Sequence, residues 1–278
     1  MLRPPQAESV LAPAREMSTP AALRDASTVL LLRDGSAGLE VFLQRRVGRM
    51  AFAAGMTVFP GGGVDPSDCT PADGKDRWVG PPPSWWAEKF ETDDGTARAL
   101  VLAAVRETFE ECGVLFAGSD AESVVADTAE YAEGRRAVER HDVAFGAFLA
   151  DASLVVRADL LTPYARWITP EGETTRRYDT RFFAAAVPSG QRPDGETSEA
   201  SDASWVRPSV ALEELRRGDR VMLPPTWACL RQLGAHDTVE SAMSDTVDLA
   251  PVCPRVTTAN GAVRVDFADA GAYYADLP

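Results

Sequence analysis

The sequence predicts an α+β fold, and three stretches carry that expectation. Residues 27–33 and 39–44 read as strands joined by the turn Asp34-Gly35-Ser36-Ala37-Gly38, so a β-hairpin opens the fold. A helix then ends in Arg106-Glu107-Thr108-Phe109-Glu110-Glu111-Cys112-Gly113-Val114. Beyond it, strand-like runs at 164–168, 181–187 and 203–206 are mixed with helical runs at 208–217 and 225–233.

Taken in order, residues 1–24 hold Pro4, Pro5, Pro13 and Pro20 without sustained periodicity and read as an N-terminal arm. After the hairpin, Thr57-Val58-Phe59-Pro60-Gly61-Gly62-Gly63 reads as a short strand followed by glycines that let backbone approach a ligand. Residues 66–93 form an insert rich in Pro, Asp and Trp, of the length expected of a lid, a binding loop or a contact surface. Its Trp85 and Trp86 either stack on a base or pack the insert onto the domain. Asp94 or Thr96 can cap the helix that follows, and Gly113 suits its end. Helices are expected over 121–139 and 142–152, within a helical insert at about 119–158. The last stretch, 236–278, reads as a C-terminal extension with a hairpin around Asn260-Gly261 and a strand at 264–267. The body of the domain therefore spans 25–235.

Bulk properties narrow the chemistry. The net charge of −14 argues against a broad footprint on nucleic acid, which needs a basic surface. The four cysteines, Cys69, Cys112, Cys229 and Cys253, form no CxxC pair and read as reduced thiols of a cytoplasmic protein. No apolar run approaches the roughly 20 residues of a membrane span, so no membrane partner is expected. With only His141 and His236, an imidazole zinc site or a Ser-His triad is disfavoured.

The acidic helix end points the other way. Glu107, Glu110 and Glu111 share one face, because i, i+3 and i+4 are neighbours on a helix. Glu107 and Glu111 form a like-charge pair, and acids in a last turn oppose the helix dipole. Val101, Val105, Thr108 and Cys112 form the packing stripe on another side. Local rules broken together mark a site, and carboxylates without histidine call for Mg²⁺ or Mn²⁺, which prefer oxygen ligands.

The run REtfEEcGv, with a Gly-rich turn upstream, resembles the Nudix box, G-x5-E-x7-R-E-U-x-E-E-x-G-U with U bulky and apolar. Arg106, Glu107, Glu110, Glu111, Gly113 and Val114 match, and Thr108 holds a U position. The first half departs: 43 residues separate Gly62 from Arg106 where the pattern has thirteen. The pattern's Glu, eight residues before the Arg, falls on Arg98, so that carboxylate is missing or comes from the insert, with Asp93 and Asp94 as candidates. The long insert and Arg177-Tyr178-Asp179-Thr180-Arg181-Phe182-Phe183 look like the peroxisomal coenzyme A diphosphatase branch. That branch also has LLTxR(S/A)x3Rx3Gx3FPGG before the box. Gly55 and Arg46 match it, whereas Gln44 stands at the Thr position and Ala51 at the second Arg, with Arg49 nearby as a substitute.

The resemblance implies an α/β/α sandwich around a mixed β-sheet and metal-dependent hydrolysis of a diphosphate in a nucleoside diphosphate conjugate, coenzyme A or an acyl-coenzyme A among them. A house-cleaning pyrophosphatase for NADH, ADP-ribose or nucleotides and a non-catalytic nucleotide sensor are the alternatives. By resemblance, Glu110 and Glu111 bind the ions, Glu107 binds metal or orients the water, Arg106 positions Glu107, and a carbonyl of Gly61 or Gly62 completes the shell. Some relatives add a later carboxylate, for which Glu199 is the candidate as ligand or base, although its acidic loop reads equally as a solvated one. Arg46, Arg49, Arg177 and Arg181 are candidates for substrate phosphate, with an Arg181–Asp179 ion pair as the other reading. Relatives are often dimers, so a homodimer is the analogy.

Overall fold

The computed structural model describes residues 21–47, 55–69, 77–171, 173, 175–195, 200–259 and 262–278. Strands β1 (Leu23–Gly35) and β2 (Gly38–Arg46) form the expected hairpin, with Gly35 opposite Gly38. β1 begins inside the stretch read as an arm, because its first residues find partners far along the chain. β3 (Thr57–Val58) returns along β2, and β4 (Gly61–Gly63) pairs antiparallel with β1, Ala26 facing Gly63 and Thr28 facing Gly61.

The insert then contributes β5 (Trp78–Val79) and α1 (Pro83–Phe90), and α2 (Asp94–Cys112) follows. Asp93 caps α2 by accepting the Thr96 N–H at 3.0 Å, one residue before the expected Asp94 and three before Thr96. Gly113, at φ 69°, ends it in the left-handed region that glycine adopts without strain. α2 is covered nearly all round, not along a single stripe: of residues 99–112 only Glu107 is more than slightly exposed.

β6 (Ala117–Gly118), α3 (Ala132–Glu139), α4 (Phe145–Asp151) and β7 (Val155–Arg157) complete this side. The helix expected from 121 is confined to α3 and a preceding 3-10 turn, Ala129–Tyr131. The reason is local. Asp120 accepts the N–H groups of Glu122 and Ser123, both at 2.9 Å, and Asp127 accepts that of Ala129, so these side chains offer the backbone an alternative to helix.

β8 (Thr162–Ile168), β9 (Arg177–Ala186) and β10 (Ala200–Val206) finish the main sheet, ordered β10-β2-β1-β9-β8. β9 runs parallel to β1, whereas the other pairings are antiparallel, which makes the sheet mixed. Successive β1 side chains are buried on opposite faces. Val29 and Leu31 join the core under α1 and α2, and Leu30 and Leu32 join the core under α5 (Pro208–Arg217) and α6 (Pro224–Leu233). A sheet covered on both faces explains the unbroken apolar run Val29-Leu30-Leu31-Leu32, and the result is an α/β/α sandwich.

The extension contributes α7 (Val239–Ser244), β11 (Arg255–Ala259), β12 (Ala262–Asp266) and α8 (Ala270–Asp276). The turn at Asn260-Gly261 lies outside the described residues. Ala242 and Tyr273 are buried in the α5/α6 core, so the extension packs as part of the domain. Among the described residues no helix is long and apolar enough to cross a membrane.

Candidate active site

The last two turns of α2 gather around Arg106, which is 4% exposed. Its Nη1 donates to Glu107 Oε1 at 2.7 Å and to Glu110 Oε1 at 3.3 Å. Nη2 donates to the Gly63 carbonyl at 2.8 Å and to Asp68 Oδ2 at 3.0 Å, while Nε reaches both Asp68 oxygens. Burial opposes the arginine's charge, yet the carboxylates of Glu107, Asp68 and Glu110 outweigh it and hold the guanidinium above its ordinary pKa. Burial pushes Glu110 and Asp68 up, with Arg106 pulling each partly back.

Asp68 is the residue missed from sequence. It sits in a 3-10 turn, Pro66–Cys69, where the Asp65 N–H donates to its Oδ2 at 2.9 Å. Its spacing was available: five residues separate Gly62 from Asp68, as in the G-x5-E half of the box, with Asp in place of Glu. The carboxylate is legible on counting forward from the glycine instead of back from the arginine, and the excess length then falls between Asp68 and Arg106. The other candidates have different work. Arg98 stacks over Trp78 at 5.3 Å and fastens the insert, while Asp93 caps α2.

The glycine turn lies against the acids. The Gly61 N–H donates to Glu111 Oε2 at 3.1 Å. A Cβ on Gly62 would stand 2.5 Å from Glu107 Oε1, so only glycine allows this approach. From the far side, Arg135 Nε donates to the Glu110 carbonyl at 3.0 Å while pairing with Asp194. That cation at the C-terminal end of α2 is the non-local answer to acids placed against the helix dipole.

Glu107 and Gly61 to Gly63 line a cavity of about 440 Å³. Arg46 lines it, together with the sheet residues Thr28, Thr180 and Phe182. Arg177 is spent on the Thr169 and Pro170 carbonyls at 3.3 and 3.2 Å, and its neighbours Arg176 and Tyr178 line the cavity instead. The phosphate role considered for Arg181 is corrected by its position. It is 2% exposed, paired to Asp25 at 2.5 Å and Asp179 at 3.1 Å, and β9 alternation turns it from the face bearing Thr180 and Phe182. Arg49 and Glu199 lie outside the described residues. Trp86 is fully buried against Phe90 and Phe183, with Trp85 edge-on to it at 4.9 Å, so this pair packs the insert, and no described residue of 66–93 lines the cavity.

The donors fit a hard divalent ion by chemistry. Glu107, Glu110, Glu111 and Asp68 offer carboxylate oxygens only, the donor type that hard divalent ions take, with Arg106 bridging three of them. As they stand these groups face protein partners, and among the described residues no three His, Cys, Asp or Glu side chains are placed to hold an ion.

A mixed sheet between helical layers, with a glycine turn against the glutamates of one helix end, defines a Nudix domain. The chain belongs to the NUDT19 Nudix domain family, whose model matches residues 83–233. It is similar to the acyl-coenzyme A diphosphatases NUDT19 of Xenopus laevis, 25% identical over 222 residues, and Gallus gallus, 27% identical over 228. These alignments cover 67% and 69% of this chain but only 57% and 60% of the relatives. A Nudix hydrolase structure from Alicyclobacillus acidocaldarius is 29% identical, with TM-score 0.70, covering 83% of this chain and 99% of that one.

Proposed function

We propose that this chain hydrolyses the diphosphate linkage of a coenzyme A-type substrate, acyl-coenzyme A or coenzyme A, with Mg²⁺ or Mn²⁺. The observation that carries the reading is the Arg106-centred group of carboxylates opening, through Glu107 and the glycine turn, onto a cavity large enough for a sizeable ligand. The family match and the names of the two vertebrate relatives supply the substrate class.

In this reading Glu107, Glu110 and Glu111, with a carbonyl of Gly61 or Gly62, would hold the ions. When bound, such ions neutralise phosphoryl charge and lower the pKa of water. Arg106 keeps Glu107 and Glu110 in place, and Asp68 keeps Arg106 in place. The Glu107 carboxylate, lining the cavity, takes the proton of the attacking water. Arg46 meets a phosphate from the cavity wall. Water adds to one phosphorus as the bridging oxygen leaves with the other, giving phosphopantetheine, acylated or not, and adenosine bisphosphate.

A panel of acyl-coenzyme A, coenzyme A, NADH, ADP-ribose and deoxynucleoside triphosphates, assayed with each metal and with chelator, tests this. Fastest turnover of a coenzyme A substrate is expected, abolished by chelation and by Glu110→Gln with Glu111→Gln. A folded double variant with undiminished turnover refutes the metal assignment. Ligand-induced thermal stabilisation without turnover of any substrate identifies a sensor instead.

A further inference from the structure

The sheet forms the floor of the cavity, and the C-terminal extension forms its outer wall. Val252 anchors the extension to the edge of the sheet: the Ile168 N–H donates to its carbonyl and its own N–H donates to the Arg166 carbonyl, both at 2.9 Å. Strand alternation in β12 then sets Val263 and Val265 toward the cavity, leaving Arg264 and Asp266 exposed.

α8 locks this ribbon in place. The Tyr274 hydroxyl accepts the Val265 N–H at 2.7 Å and donates to the Val265 carbonyl at 3.3 Å. The Tyr273 hydroxyl donates to the Met222 carbonyl at 3.1 Å, and Asp276 accepts the Trp227 indole N–H at 2.9 Å and the Arg216 Nε–H at 2.7 Å. The polar ends of the wall are thus committed inside the protein. What Tyr273 and Tyr274 show the cavity is ring carbon, alongside Val263, Val265 and Leu277, with Phe182 on the sheet side.

A wall that reads a purine would present hydrogen-bonding groups to the edges of the base. This one presents hydrocarbon, which favours an occupant that gains by leaving water. The charged side chains of the cavity lie outside this wall, at Glu107 and Arg46 and, between β8 and β9, at Glu173 and Arg176.

We infer that the C-terminal extension is the specificity wall of this enzyme, holding the acyl chain of an acyl-coenzyme A while the diphosphate lies at Glu107. The inference rests on the coenzyme A reading above. Val265 and Leu277 are its specificity-determining residues, and acylated substrate is preferred over free coenzyme A because each methylene taken from water strengthens binding.

The experiment measures kcat/KM of the full chain for coenzyme A and for acyl-coenzyme A substrates of rising chain length, comparing wild type with Val265→Asp and Leu277→Trp. The first puts charge in the wall and the second fills the space beside it. Wild type is expected to favour longer chains by about tenfold or more, approached at roughly fourfold per buried methylene and levelling once the cavity is full. Either variant should lower the ratio of acylated to free substrate about tenfold. The ratio is unaffected by the fraction of active protein, so partial misfolding of a variant does not blur it. A flat chain-length profile in a wild type that cleaves coenzyme A overturns the wall and leaves the coenzyme A reading intact. Equal losses on acylated coenzyme A, free coenzyme A and ADP-ribose place the wall against the adenosine side and also overturn the inference. A wild type that cleaves no coenzyme A substrate overturns the functional reading and the wall with it.

Discussion

Gly62→Ala separates the chemistry of the site from the stability of the fold. The new Cβ would lie 2.5 Å from Glu107 Oε1, 2.6 Å from Cδ and 2.7 Å from Oε2. Ordinary contact begins at 3.4 Å, so the carboxylate must retreat about 0.9 Å. It can do so, because it is the end of a flexible side chain and Gly62 has no left-handed φ for alanine to strain. Misplacing a reacting group by about an ångström costs on the order of 100-fold in rate. The charge-assisted hydrogen bond it disturbs, Arg106 to Glu107, is worth about 1.5–3 kcal/mol. At roughly 2–4 °C per kcal/mol for a chain of this size, losing that bond should lower Tm by about 3–12 °C. The neighbours are the controls. A Cβ on Gly63 meets nothing nearer than the Asp25 carbonyl at 4.0 Å, so Gly63→Ala should keep both activity and Tm. A Cβ on Gly61 would strike the Ser27 carbonyl in the β1–β4 pairing, so Gly61→Ala should lose stability first. Steady-state kinetics on acyl-coenzyme A and thermal melts of all three decide the matter. Activity of Gly62→Ala within about twofold of wild type, or an equal loss in Gly63→Ala, refutes the close-approach argument; the 100-fold scale is the one compared.

Two further substitutions test the parts assigned to Asp68 and Arg181. Asp68→Asn keeps the shape but removes the charge that holds Arg106, and kcat should fall about 10–100-fold, as for groups that orient metal ligands, with KM little changed. Unchanged kcat would make Asp68 a space-filler. Arg181→Met should cost stability, toward the lower end of the roughly 3–5 kcal/mol for breaking a buried pair, because Asp179 keeps its two bonds to Arg166. The folded fraction should retain wild-type KM, and a KM raised about tenfold, or 1.4 kcal/mol of binding, would return Arg181 to the substrate.

What could be read from the sequence follows the range of the interaction that sets each feature. The hairpin and the acidic face of α2 depend on residues within a few positions of one another, and both are where the spacing puts them. Asp68 follows the spacing of the box as well, but the long insert before Arg106 hides it from a count that starts at the arginine. The helix expected from 121 fails because Asp120 and Asp127 bind their own neighbours' N–H groups, a local competition that apolar periodicity does not register. β9 begins four residues before its expected start, at the polar Arg177-Tyr178-Asp179-Thr180, because residues 23–26 of β1 stand parallel to it. Nothing within either segment announces that pairing. The C-terminal wall is the extreme case: Tyr273 and Tyr274 read as an ordinary short helix until their hydroxyls are seen bound to Met222 and Val265. The catalytic signature is thus written in short-range spacing, whereas the surface proposed to select substrate is assembled from residues about 75 to 215 positions distant from Gly62 and Glu107, such as Phe182, Val265 and Leu277. Two chains with the same acidic helix end can therefore differ in substrate through their tails alone, and a motif match transfers the reaction more safely than the molecule acted upon.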